Sequence, residues 1–161
     1  MRATIRLYIA EKGATIMATC TFFGHRDCPE TIKPKLREVL IELITRHGVD
    51  MFYVGHQGQF DAMVRSVLRD LIEEYPQTHY AVVLAYMHGK QNEYDDYSDT
   101  MLPEGIESVH PHYAISWRNK WMLQQADYVV TYITRPWGGA AQYAAKARRC
   151  RKCVINIECR Q

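Results

Sequence analysis

Short apolar runs alternate with helical stripes along this chain, and that alternation constrains its fold more than any other feature. Ala18–Phe23 (ATCTFF), Met51–Val54 (MFYV), His79–Tyr86 (HYAVVLAY), Tyr128–Ile133 (YVVTYI) and Cys153–Ile157 (CVINI) have the length and residue types of strands. Between them, Ile32, Leu36, Val39, Leu40, Leu43 and Ile44 recur at helical spacing within Pro29–His47 and stop at Gly48. Met63, Val64, Val67, Leu68, Leu71 and Ile72 do the same within Asp61–Tyr75, and Pro76 ends that stripe. Further helices are expected over Ser116–Gln125 and from Gly138-Gly139 to Arg149. The third strand is apolar at nearly every position, as a strand covered on both faces must be. The pattern predicts an α/β, Rossmann-like, doubly wound, mostly parallel sheet of about five strands with helices on both faces.

A chain of 161 residues suits one domain, placed here at residues 17–161, with residues 1–16 read as an N-terminal extension outside the fold. Arg2 and Arg6 precede an apolar stretch, but Glu11 and Lys12 follow at once, so no secretory signal is expected there. No apolar run has the length of a bilayer span. A cytoplasmic location is the expectation. Net charge is +2 with acids and bases interspersed, which argues against a nucleic-acid-tracking surface. The basic tail from Lys146 to Arg160 reads as a solvated helix end. Five cysteines are an odd number for a disulfide framework. Cys150 and Cys153 form a CxxC without the two further ligands that a zinc site needs, and no metal is expected.

In an open parallel sheet, ligands bind beyond the carboxyl ends of the strands, so the residues following each strand matter most. These are Gly24, His25 and Arg26 after the first strand, and Gly55, Gln57, Gly58 and Asp61 after the second. Arg135, Pro136, Trp137, Gly138, Gly139 and Ala140 follow the fourth. Two of these glycine turns run straight into helices, where unpaired N–H groups and the helix dipole favour an anion such as a phosphate. Neither turn is GxGxxG, and GxxxxGK[ST] is absent, which disfavours standard dinucleotide and P-loop readings. Arg26 and Arg118 suit bidentate phosphate contact, although a helical position alone favours a surface ion pair for Arg118. Asp61 could cap its helix, the stronger expectation, or hold a ribose hydroxyl. Trp137 could stack on a base, with Trp117 and Trp121 better suited to packing. Residues 87–112 have no clear period, and the acidic, Tyr-rich loop Glu93–Asp99 within them could contact a protein partner.

The segments TCTFFGHRDCP (Thr19–Pro29), VGHQGQFD (Val54–Asp61) and WRNKWMLQQADYVVTYITRPWGGAAQYAAKA (Trp117–Ala147) resemble the SLOG superfamily. That group of Rossmann-like nucleotide-binding domains includes the core of DNA-processing protein A and the "lonely guy" phosphoribohydrolases. The resemblance is strongest to its small stand-alone, YpsA-like branch found in Firmicutes and their mobile elements. It implies a nucleotide or ADP-ribose-type ligand, a homo-oligomer, and a stress or phage-conflict setting. Arg118 stands nine residues before Asp127, the spacing of the hydrolases' arginine, and Gly138-Gly139 match their glycine pair. Their catalytic glutamate, however, falls on Ala145. Glycosidic cleavage needs a carboxylate, which alanine does not supply. The expectation is therefore a non-catalytic sensor or sequestering module that requires no cofactor. The alternatives are an N-glycosidase with a relocated acid, for which Asp95, Asp96 and Asp99 are the loop candidates, and a protein-interaction scaffold.

Overall fold

The computed structural model describes residues 18–86 and 99–159. The expected extension 1–16 lies outside the described residues, as do Met17 and all of the Glu93–Asp99 loop except Asp99. The strands are β1 (Ala18–Gly24), β2 (Val49–Val54), β3 (His79–Val83), β4 (Thr100–Met101), β5 (Tyr128–Tyr132) and β6 (Cys153–Asn156). The helices are α1 (Lys33–His47), α2 (Gly58–Glu74), α3 (Ala114–Gln125) and α4 (Gly139–Arg149).

All six strands run parallel, in the order β4-β3-β2-β1-β5-β6. The sheet thus has one strand more than the apolar runs predict. The extra strand, β4, pairs Thr100 and Met101 with Val82 and Val83, and two residues are too few to show a period. Asp99 leads into it: its carboxylate accepts the Tyr80 hydroxyl at 2.8 Å and its carbonyl accepts the Val82 N–H at 2.7 Å.

The pleat sorts the strand side chains into two cores. Cys20, Phe22, Phe52, Val54, Val82 and Val130 face α1 and α2, where Leu36, Leu40, Val64 and Leu68 are buried against them. Phe23, Met51, Tyr53, Val83 and Val129 face the other way, against Met122 and Leu123 of α3 and Ala147 of α4. Two polar clamps hold the chain between these layers. The Asp127 carboxylate accepts the Thr19 N–H at 3.0 Å, fastening the exit of α3 to the start of β1. The Asn156 side chain exchanges bonds of 3.0 and 3.1 Å with the backbone of Ile133, extending the β5–β6 ladder by one rung.

Beyond β1 the chain builds outward through β2, β3 and β4, then returns to place β5 on the other side of β1. Strand order therefore reverses between β1 and β5, and the crevice at their carboxyl ends is where an open α/β sheet holds ligands.

Candidate functional site

A cleft of about 330 Å³ opens at that reversal point. Gly24, His25 and Arg26 reach it from β1, Gln57 and Asp61 from the start of α2, and Arg118 from α3. Gly138, Gly139 and Ala140 close it from the start of α4. Of the remaining expected site residues, Gly55 lies behind Asp61 and Arg118, and Gly58 packs on Arg26, where an added Cβ would come within 2.9 Å of the Arg26 Cα. Trp137 is 66% exposed and does not line the cleft. Trp121 packs edge-on against Tyr53 with ring centres 5.1 Å apart, in the core as expected.

Two buried charges meet over Gly55 from opposite faces of the sheet. A Cβ there would lie 2.6 Å from Asp61 Oδ2 and 3.1 Å from Arg118 Nη1, so only glycine leaves both groups room. Arg118 is 3% exposed, which corrects the surface ion pair that its helical position favours. Its Nε donates to Asn119 Oδ1 at 3.0 Å and its Nη1 to the Val83 carbonyl at 3.4 Å. Nη2 has no partner among the described residues. A signal for this burial is present in the sequence. Ala114, Ile115, Trp121 and Met122, the helical neighbours of Arg118 at three and four residues, are all apolar.

Asp61 does not cap its helix from the front. The first turn begins at Gly58, and Asp61 reaches back within that turn to accept the Gln57 N–H at 2.9 Å. Burial pushes its carboxyl above the ordinary value of 3.8, against the pull of the Gln57 N–H and of Arg118, Arg65 and Arg26. The folded state then binds this proton more tightly than the unfolded chain does. Its contribution is complete below pH 3.8 and is lost as pH rises through the folded value. Asp61→Asn, which keeps an acceptor for Gln57, is therefore expected to raise the apo Tm at pH 7 by about 2–4 °C, the equivalent of roughly 1 kcal/mol in a domain of this size. The gain should shrink as the pH approaches 4. Thermal melts across that range check this, and a lower Tm for the variant at pH 7 would show the carboxylate to be a net stabiliser.

The two glycine turns are not equivalent. At the start of α2, Asp61 takes the Gln57 N–H and the Arg26 carbonyl takes the Gln59 N–H at 3.0 Å, and a carboxylate stands where an anion would sit. At the start of α4 the first intrahelical bond runs from the Gln142 N–H to the Gly138 carbonyl at 3.1 Å, and no side chain caps the helix. The N–H groups of Gly139, Ala140 and Ala141 have no partner among the described residues. Gly138 adopts φ +99°, a conformation that disfavours side chains, and a Cβ on Gly138 or Gly139 would meet nothing within 4 Å. This second turn offers its open donors at the cleft with no side chain in front of them.

His25 is 3% exposed, and its Nε2 is buried without a hydrogen-bond partner among the described residues. Burial, reinforced by the charge of Arg135, lowers its pKa below 6.5 against the opposing pull of Asp27 and the Arg135 backbone, so the ring is neutral at pH 7. Arg135 itself lines the cleft and holds Asp27 by two bonds of 3.2 Å across the mouth between β1 and β5. Arg135, three residues beyond β5, is among the strand-end residues expected to matter, though without a role, whereas Asn119 is not, its only sequence signal being its position beside Arg118. Cys150 and Cys153 are free and exposed, and no metal-binding cluster exists among the described residues.

Two solved structures share this architecture. DNA processing protein A from Streptococcus pneumoniae matches with a TM-score of 0.62 at 13% identity, over 86% of this chain and 49% of its own. The molybdenum cofactor carrier protein from Chlamydomonas reinhardtii matches with a TM-score of 0.54 at 17% identity, over 87% of this chain and 76% of its own. This chain thus spans about half the length of the first of these proteins. No protein-family profile and no curated protein sequence matches it. The likeness to these two structures shows a Rossmann-like α/β fold. None of the described helices is long and apolar enough to cross a membrane.

Proposed function

We propose that this domain binds a nucleotide or nucleotide derivative, including ADP-ribose-type molecules, with a phosphate on the first turn of α4, and that it does not cleave it. The observation that carries this reading is the set of unpartnered N–H groups of Gly139, Ala140 and Ala141 at a turn that lines the cleft. They are joined there by Arg118, whose Nη2 is uncommitted, and by Arg26. Helix-start amides and guanidinium groups are the donors that a phosphate requires. Ala145, which stands where the related hydrolases carry a glutamate, is exposed and away from the cleft lining, so the chemistry for cleavage is missing from that helix. A sensor or sequestering module fits this combination.

Native mass spectrometry of the protein as purified tests the proposal by revealing a retained nucleotide. Gly139→Pro provides a local test. Proline is tolerated at the first helical position and removes one amide donor. Phosphate-ligand affinity is expected to fall about tenfold, the scale of ~1.5 kcal/mol for a hydrogen bond to a charged group. The apo Tm should stay unchanged, because no atom lies within 4 Å of a Cβ at this position. Undiminished affinity in the variant would remove the phosphate from this turn.

A further inference from the structure

We infer that Cys150 and Cys153 form a two-sulfur site for a soft monovalent metal ion such as Cu(I), at the end of α4 remote from the cleft. The 11 residues of α4 carry the chain about 16 Å along the helix axis from the turn at Gly138, so this site stands apart from the one proposed above. Both thiols are free and exposed, whereas Cys20 and Cys28 are buried in the α1–α2 core.

The backbone of the pair is pinned on both sides. Cys150 ends α4, its N–H donating to the Lys146 carbonyl at 2.9 Å, and Cys153 opens β6, its N–H donating to the Asp127 carbonyl at 3.2 Å. Between them the Arg151 N–H donates to the Arg148 carbonyl and the Lys152 N–H to the Ala147 carbonyl, both at 3.0 Å. These two bonds are the paired closure of a helix that ends on a left-handed residue, a position ordinarily held by glycine. Here it is Arg151, at φ +57°, the one non-glycine residue with positive φ among the described residues. A tight turn fastened at both ends thus keeps the two cysteines together, and their exposed side chains have room to turn toward a shared ion.

The charges around the pair favour the same occupant. Five of the seven residues from Lys146 to Lys152 are Lys or Arg, and none is acidic. Lys146, Arg148 and Arg149 lie in the last turn of α4, where they complement the helix dipole. Arg151 lies past the helix end, in a conformation that glycine adopts at lower cost, and strain of this kind gathers at functional sites. What the arginine supplies there and glycine lacks is a positive charge. Uptake of an ion by the two thiols releases two protons for one M⁺ bound, and the product is a bis-thiolate complex with one net negative charge. The surrounding cations offset it.

Donor number and softness select the ion. Thiolate sulfur favours soft metals. Zinc takes four ligands, and no third His, Cys, Asp or Glu joins the pair among the described residues. Cu(I), with a filled d shell, is satisfied by two sulfurs in line.

The test is anaerobic titration of the reduced, intact protein with Cu(I) against the chromogenic chelator bicinchoninate, with alkylation of free thiols mapped by mass spectrometry. One ion per chain is expected, protecting Cys150 and Cys153 together, while Zn(II) protects neither. Cys150→Ser and Cys153→Ser should each weaken binding by at least about a hundredfold, the loss that follows when two tethered donors become one. Arg151→Gly should lower Cu(I) affinity about two- to fivefold, the size of one exposed charge interaction. The same change should raise the Tm by about 2–4 °C, because glycine relieves the left-handed strain. Absence of protection by Cu(I), or full affinity in either serine variant, would overturn the site. Equal protection by Zn(II) would overturn the two-donor reading, and undiminished affinity in Arg151→Gly would remove the role given to its charge.

Discussion

Gly24→Ala is expected to destabilise the domain by about 3 kcal/mol, the upper end of the range for an overpacked core. A Cβ at that position would lie 2.1 Å from Cδ1 and 2.4 Å from Cγ of Phe60. The ring has nowhere to retreat: Phe60 is 1% exposed within the α1–α2 core and stacks on Tyr132 with ring centres 6.2 Å apart. Gly24 lacks the left-handed backbone that would by itself demand glycine, so the penalty is one of packing. In a domain of this size the loss corresponds to roughly 6–12 °C in Tm. Adding Phe60→Leu to Gly24→Ala should recover part of it, because a smaller side chain vacates the contested space and the two changes are then not additive. A single variant that melts with the wild type would show that Phe60 is free to move.

The second large effect concerns binding. Arg118→Met should weaken nucleotide affinity by at least tenfold, and by up to about a hundredfold, the span of ~1.5–3 kcal/mol for hydrogen bonds to a charged ligand. Methionine fills much of the same volume without a charge, so the hole that alanine would leave on α3 is avoided. Apo stability then reflects two opposed changes. A buried cation is removed, and Asp61 loses a compensating charge and holds its proton to still higher pH. Titration calorimetry of the two proteins checks the affinity, and equal dissociation constants would take Arg118 out of the site. A variant that binds normally but melts lower would assign Arg118 a structural role alone.

Much of the fold was legible because each strand and helix carries its own period. The runs at Met51–Val54 and Tyr128–Ile133 coincide with β2 and β5 to within two residues at each end. Strand order has no such local signature. The placement of β5 beside β1 depends on which edges find each other during folding, and Tyr128–Ile133 reads the same in either order. The lining of the cleft was legible as a set of positions, since nine of the expected residues stand along it, but not as a division of labour. Two glycine turns look alike in sequence. Only tertiary contacts show that the one at Gly58 is filled by Asp61 and the Arg26 carbonyl while the one at Gly138 is open. Gly24 likewise reads as a place for a ligand to approach the backbone, whereas its missing side chain is replaced by the Phe60 ring.

The meeting of Asp61 and Arg118 over Gly55 also bears on the mechanics of the domain. One side chain is rooted in the layer of α1 and α2 and the other in the layer of α3 and α4, and the sheet otherwise separates the two cores. An occupant that engages both would act as a rivet through the end of the sheet, tying the two layers together there. Filling a small cleft would then stiffen the whole molecule, and such a change in rigidity can be felt at surfaces remote from the cleft without any displacement of the backbone.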